Sequence, residues 1–201
     1  CEVTGISLSR NQINYCIKKS KELNLSNQVK FELIDYRKIK GQFDKIYSVG
    51  MFEHVGRKFY KTFFKSMNRL LKKNGTFLLH TIGVVDKPTA PNKFINKYIF
   101  PGGTCPSFSE IIKPIEKTGL IVSDSETLIR HYDKTLESWL ERFMSKKHLV
   151  KDLFDERFVK MWEFYFSSTA AAFRYRDLVV FQLQIVKNYD SAHRTRDYIY
   201  S

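Results

Sequence analysis

A chain of 201 residues with 43% hydrophobic and 27% charged side chains can bury a packed core, which excludes a disordered polymer, and its length suits one domain or one domain with an insertion. The net charge of +13 points to an anionic partner (nucleic acid, an anionic membrane or a phosphorylated substrate) without choosing among them, and solubility alone is the plainer alternative. Cys1, Cys16 and Cys105 show neither CxxC spacing nor a paired framework, which argues against a structural zinc site and a disulfide-stapled secreted domain. No signal peptide is visible, and no apolar run reaches the roughly 20 residues that span a bilayer.

Residues 2–7 (EVTGIS) read as a short strand. Ser9, with Gln12 three positions on, reads as a capping box opening a helix that runs to about Leu23. Residues 29–34 (VKFELI) alternate as a strand, and 43–49 (FDKIYSV) form another, entered through a turn at Gly41. From Arg57 to Leu71, Phe59, Phe63, Phe64, Met67, Leu70 and Leu71 recur at helical spacing. Asn74-Gly75 is the expected stop, and 76–82 (TFLLHTI) an apolar strand buried on both faces. Strands alternating with helices from residue 2 to 82 imply right-handed crossovers and a parallel sheet.

The rhythm then breaks. Residues 83–108 hold four of the five prolines (Pro88, Pro91, Pro101, Pro106) and Gly102-Gly103, the composition of a lid or binding segment. A short helix over 109–118, a strand over 120–128, helices over 132–148 and 155–173 and a last strand over 178–186 follow. The polar tail from Lys187 is expected to fray.

Chemistry-bearing residues cluster where strands end, the place where open α/β sheets bind ligands. Ser7 and Gln12 can meet a cofactor, although a capped helix after a strand is ordinary. Asp35 and Tyr36 can bond to and stack on a purine, although a polar turn is the commoner case. Glu53-His54 ends an apolar strand and suits proton handling or substrate positioning; its spacing does not match HExxH, so no metal is expected. His80 inside LLHTIG is either a satisfied core histidine or a pocket liner. Tyr132, at a strand-to-helix passage, is unremarked by itself.

Taken in order, GISLSRNQ, DYR, FDKIYSVGMFEHVG, LKKNGTFLLHTIG, INKYIFPGG, HYDKTLESWLERF and AAAFRYRDLVVFQ resemble the cyclopropane-fatty-acyl-phospholipid synthases, and more loosely the mycolic-acid cyclopropane synthases, over residues 1–187. The resemblance implies an α/β class I S-adenosylmethionine-dependent methyltransferase (Rossmann-like) sheet. Its first strand and Gly-rich loop are then expected upstream of residue 1, and its last strand antiparallel. It implies one partial methyltransferase domain over 1–187, with 83–108 and 132–173 covering the substrate, and a tail over 188–201. The implied reaction transfers a methylene group from S-adenosyl-L-methionine to a cis double bond of an unsaturated phospholipid acyl chain, with bound bicarbonate as base.

The resemblance assigns Glu53, His80 and Tyr132 to catalysis and, with Ile82, to bicarbonate binding. It assigns Ser7, Leu8, Gln12, Asp35 and Tyr36 to the adenosyl part of the cofactor. It puts Thr169 where many relatives carry cysteine, which disfavours a thiol nucleophile. Phe100, Phe143, Trp162, Tyr165 and Phe173 are candidate walls for an acyl chain, and core packing explains each one as well. The implied setting is cytoplasmic and peripheral, at the anionic inner membrane surface, with no nucleic-acid partner and with room for a homodimer. Methylation of a small amine or another lipid, or a membrane-binding piece without activity, are the alternative readings.

Overall fold

The computed structural model describes residues 1–90 and 92–200; Pro91 of the long loop and Ser201 of the tail lie outside the described residues. The chain divides into two compact units, Cys1–Gln42 and Phe43–Ser201.

In the first unit, β1 (Val3–Ser7) pairs in parallel with β2 (Val29–Leu33), Ser7 opposite Leu33, and α1 (Arg10–Glu22) is the crossover. The helix starts where Ser9 leaves the helical region and its hydroxyl accepts from the Gln12 amide at 3.4 Å. The capping box is only half formed. Gln12 Oε1 accepts from the Ser7 hydroxyl (2.7 Å) instead of reaching back to the Ser9 amide, and that amide donates to Ser7 Oγ (3.1 Å). A serine two residues before the cap takes the amide that the glutamine is expected to satisfy.

In the second unit, β3 (Phe43–Val49), β4 (Leu71–Val84), β5 (Ile121–Ile129) and β6 (Leu178–Val186) form one sheet in the order β3-β4-β6-β5. β3 and β4 are parallel, and β6 runs antiparallel to both β4 and β5, as the resemblance implies for the last strand. On one face sits α2 (Tyr60–Leu70), whose Phe63, Phe64, Met67 and Leu70 are buried with Phe77 of β4. Full burial of each such side chain contributes about 1.5–3 kcal/mol.

The helix ends at Leu70, four residues before the expected stop. Gly75 is not a helix stop but a point of close approach: a Cβ there would lie 2.9 Å from the Asp44 carbonyl oxygen and 2.7 Å from the Leu71 side chain. β4 is correspondingly longer than the apolar run, and Leu78 is partly exposed, so the strand is not buried on both faces throughout.

The loop over 83–108 contains α3 (Lys93–Tyr98), capped by Asn92, and returns to the sheet where Val84 bridges Ser107, at the start of α4 (Phe108–Glu116). Arg57 fastens it, pairing with Glu110 at 2.6 Å and donating to the Thr89 carbonyl at 2.8 Å. The other face of the sheet carries α5 (His131–Ser145) and α7 (Glu156–Tyr175), with α6 (Lys147–Leu153) packed on α7, where the sequence suggests two helices. The tail does not fray as expected. Arg196 pairs with Asp124 at 2.8 Å, Tyr198 donates to the same carboxylate at 3.2 Å, and Asn188 donates to the Lys73 carbonyl at 2.7 Å. These anchors join segments up to 115 residues apart, which no local pattern announces.

Candidate active site

The two sets of expected site residues fall in different units. In the first, Ser7-Leu8 and Asp35-Tyr36 lie at the carboxyl ends of adjacent parallel strands, so both pairs share one edge. A groove of ≈ 450 Å³ runs beside Ser7 and Gln12, walled by Gly5, Tyr15 and Phe31. Leu8 is 73% exposed. Asp35 caps the next turn and is taken by Arg37, through the backbone amide and Nε (both 2.9 Å) and Nη2 (2.5 Å). The Arg37 guanidinium, chiefly by this hydrogen bonding, holds the Asp35 carboxyl down to about 2.

In the second unit the residues converge. β3 is followed by Gly50, whose φ of +65° turns the chain sharply and whose amide donates to the His80 carbonyl at 3.1 Å. The 3₁₀ turn Phe52–His54 follows. Phe52 is fully buried and stacked on Tyr60 at 4.3 Å between ring centres, which fixes its neighbour Glu53. Glu53 is itself buried. Its Oε1 accepts from the Ile82 amide at 2.7 Å, while Oε2 is buried without a hydrogen-bond partner. The Thr104 amide donates to the Glu53 carbonyl at 2.8 Å, laying the long loop over the turn.

His80 and Ile82 are two apart on β4 and share one face, with Glu53 bound to the latter. His80 Nε2 lies 2.8 Å from the Tyr132 hydroxyl, and Nδ1 lies 3.2 Å from Gln182 Nε2 on β6. Both nitrogens of half-buried His80 are thus engaged, as in a satisfied histidine. Burial lowers its pKa, so the ring is neutral near pH 7. Tyr132 stands in the first turn of α5, delivered by Arg130 in the left-handed conformation (φ +63°), a geometry costing about 1–2 kcal/mol. Next to it, buried Asp133 pairs with Arg174 at 3.0 Å and pins α5 to α7; Arg174 also binds Glu137. Burial, and then the Glu53 charge, raise the Tyr132 pKa, so its hydroxyl keeps its proton.

The candidate acyl walls gather beside this cradle. Tyr165 and Phe173 belong to a buried cluster against which Phe143, Trp162, Tyr132 and Ile82 pack, and Phe100 meets Tyr165 at 5.9 Å. Thr169 is half-buried on α7, one residue before Ala170 of that cluster. The sequence reading misses Gln182. Its signal is a glutamine in a strand otherwise rich in buried aliphatics, a polar side chain that needs a partner.

The family model described as mycolic acid cyclopropane synthetase matches residues 1–183. The chain belongs to this family. It is 38% identical to the cyclopropane-fatty-acyl-phospholipid synthase of Escherichia coli (strain K12) over 96% of its own length and 49% of that protein's, so it spans about half the length of the curated relatives it matches. Among solved members of the cyclopropane synthetase family, the cyclopropane synthase MmaA2 from Mycobacterium tuberculosis superposes with a TM-score of 0.86 at 27% identity. The mycolic acid cyclopropane synthase CmaA1 complexed with SAH and CTAB superposes at 0.84 and 29%; each match covers 92% of this chain and 69% of the other. The mixed α/β fold is therefore the methyltransferase fold of this family. Among the described residues no helix is long and apolar enough to cross a membrane.

Proposed function

We propose that the protein carrying this chain uses S-adenosyl-L-methionine to build a cyclopropane ring on the cis double bond of an unsaturated phospholipid acyl chain, with bicarbonate as the base. The observation that carries this reading is Glu53 Oε2, a buried carboxylate oxygen without a partner in a family whose named members include a cyclopropane-fatty-acyl-phospholipid synthase. An unpaired buried acceptor is costly, and a ligand with a hydroxyl hydrogen removes that cost.

The residues present fit bicarbonate. Glu53 would accept its hydroxyl hydrogen, and Tyr132, whose pKa is raised, would donate to its anionic oxygens, with His80 behind the tyrosine and the Ile82 amide orienting the glutamate. When bound, S-adenosyl-L-methionine supplies the methyl carbon and leaves as the thioether, and bicarbonate supplies the base for the methyl proton lost on ring closure. Ser7, Leu8, Gln12, Asp35 and Tyr36 would hold the adenosyl portion at the strand ends of the first unit. The aromatic cluster of α5 and α7 keeps water from the reacting carbons, and its ring faces favour the positive charge that develops there. The excess of basic residues favours an anionic phospholipid surface, at about 1 kcal/mol for each Lys or Arg near it.

The test is lipid analysis of cells expressing the full-length protein with methyl-deuterated S-adenosylmethionine. Labelled cyclopropyl chains formed in proportion to bicarbonate are the expected result. Labelled methyl-branched chains, or no labelled lipid, would overturn the reading.

A further inference from the structure

His80 and Gln182 stand directly opposite each other in the antiparallel register of β4 and β6, although 102 residues separate them in sequence. The contact is Gln182 Nε2 to His80 Nδ1 at 3.2 Å. An amide nitrogen can only donate, so Nδ1 must accept. A neutral imidazole accepting on one nitrogen carries its proton on the other. Nε2–H then donates to the Tyr132 oxygen 2.8 Å away. A hydroxyl that accepts from the ring keeps its own hydrogen for another acceptor. In the opposite tautomer Nε2 would be bare, and the Tyr132 hydrogen would be spent on the ring.

We propose that Gln182 is a positioning residue: its amide holds the His80 proton on Nε2 and thereby leaves the Tyr132 hydroxyl hydrogen free for an anion beside Glu53. This rests on the reading of that anion as bicarbonate, but the tautomer itself does not. The side-chain type matters. A glutamate at 182 would accept instead of donate and would draw a proton onto Nδ1; an apolar residue would leave Nδ1 without a donor. Donation to Nδ1 suits the neutral state that burial favours for the ring.

The experiment uses the full-length protein with ¹⁵N-labelled histidine, the His80 signals being identified by their loss in His80→Asn. In the wild type the ring is expected to carry its proton on Nε2 alone. In Gln182→Glu a proton is expected on Nδ1. In Gln182→Met, close in shape but without a donor, the half-saturating bicarbonate concentration is expected to rise on the order of 10-fold with the KM for S-adenosylmethionine unchanged. A wild-type proton on Nδ1 would overturn the proposal, and so would a Gln182→Met enzyme with unaltered bicarbonate dependence. If wild-type turnover ignores bicarbonate, the assignment of the base fails, and the tautomer measurement still decides the role of Gln182.

Discussion

The two candidate sites use their polar groups in opposite ways. In the first unit Ser7 satisfies Gln12 and Asp35 satisfies Arg37, at surface positions where water can replace either partner. In the second, Glu53 is buried with one oxygen bound and the other unmet, and His80 is held between Tyr132 and Gln182. Exposed groups that pair with their neighbours are cheap to keep and easy to re-pair on a ligand. Buried groups left incomplete are expensive, and persist where a ligand completes them. Under the proposed function, the first unit would serve affinity and the second turnover.

The sharpest way to break that division is Glu53→Gln. The amide oxygen can still accept from the Ile82 amide, so the fold is expected to survive with little change in melting temperature. The buried negative charge is gone, and turnover is expected to fall about 10²–10³-fold, near 3–4 kcal/mol of barrier. Gas chromatography of lipid products and a thermal melt would check both halves. A matching loss of S-adenosylmethionine affinity would place Glu53 on the cofactor and erase the contrast.

Next in size is a test of how tightly the backbone of each unit is held. A Cβ on Gly83 would fall 2.3 Å from the Phe181 ring and 2.7 Å from the Pro106 carbonyl oxygen, both in packed surroundings beside Ile82. Gly83→Ala is expected to cost about 1–3 kcal/mol. At Gly41, in the first unit, nothing lies within 4 Å and only the φ of +91° resists substitution, so Gly41→Ala should cost about 1 kcal/mol. Urea unfolding of the two variants compares them; equal costs would mean that the backbone beside Ile82 is no more tightly packed than the open turn at Gly41.

A smaller effect is expected at Asp35. Asp35→Asn removes the charge that Arg37 holds but keeps a polar, capping side chain. Cofactor affinity is expected to weaken by about 10-fold, or 1.4 kcal/mol, with turnover at saturating cofactor unchanged. Isothermal titration with S-adenosylhomocysteine and saturation kinetics separate the two quantities, and a loss of turnover alone would contradict the assignment.

Much of this was legible along the chain because apolar periodicity is a local signal. The alternation of residues 29–34 and the aliphatic run 178–186 place β2 and β6 within a residue of where they lie, and the strand-end position singles out Glu53, which lies buried with one oxygen unmet. What was not legible depends on pairings between distant segments. Leu70 ends its helix because the chain must rejoin β3 at once, Leu71 pairing with Phe43. The tail is ordered by an aspartate 72 residues before Arg196. Gln182 gains its meaning only from the β4–β6 register, and Ser7 displaces Gln12 from the capping box through a hydroxyl whose orientation no spacing rule contains.

The finest test of the contrast is thiol chemistry. Cys1 is exposed in the first unit, whereas Cys105 lies in the loop over Glu53, and burial, followed by the Glu53 charge, pushes its thiol up to about 12. At pH 8 its thiolate fraction is then on the order of 10⁻⁴, so iodoacetamide should label Cys1 well before Cys105. The Cys105 rate should climb about 10-fold per pH unit, without levelling below pH 10. Glu53→Gln removes the second cause while leaving burial in place. It is expected to speed labelling of Cys105 a few-fold at fixed pH and to leave Cys1 unaffected, as read by mass spectrometry of the alkylated peptides. An unchanged Cys105 rate would mean that the Glu53 charge does not reach the loop covering it, and that the cradle is electrostatically more open than its burial implies.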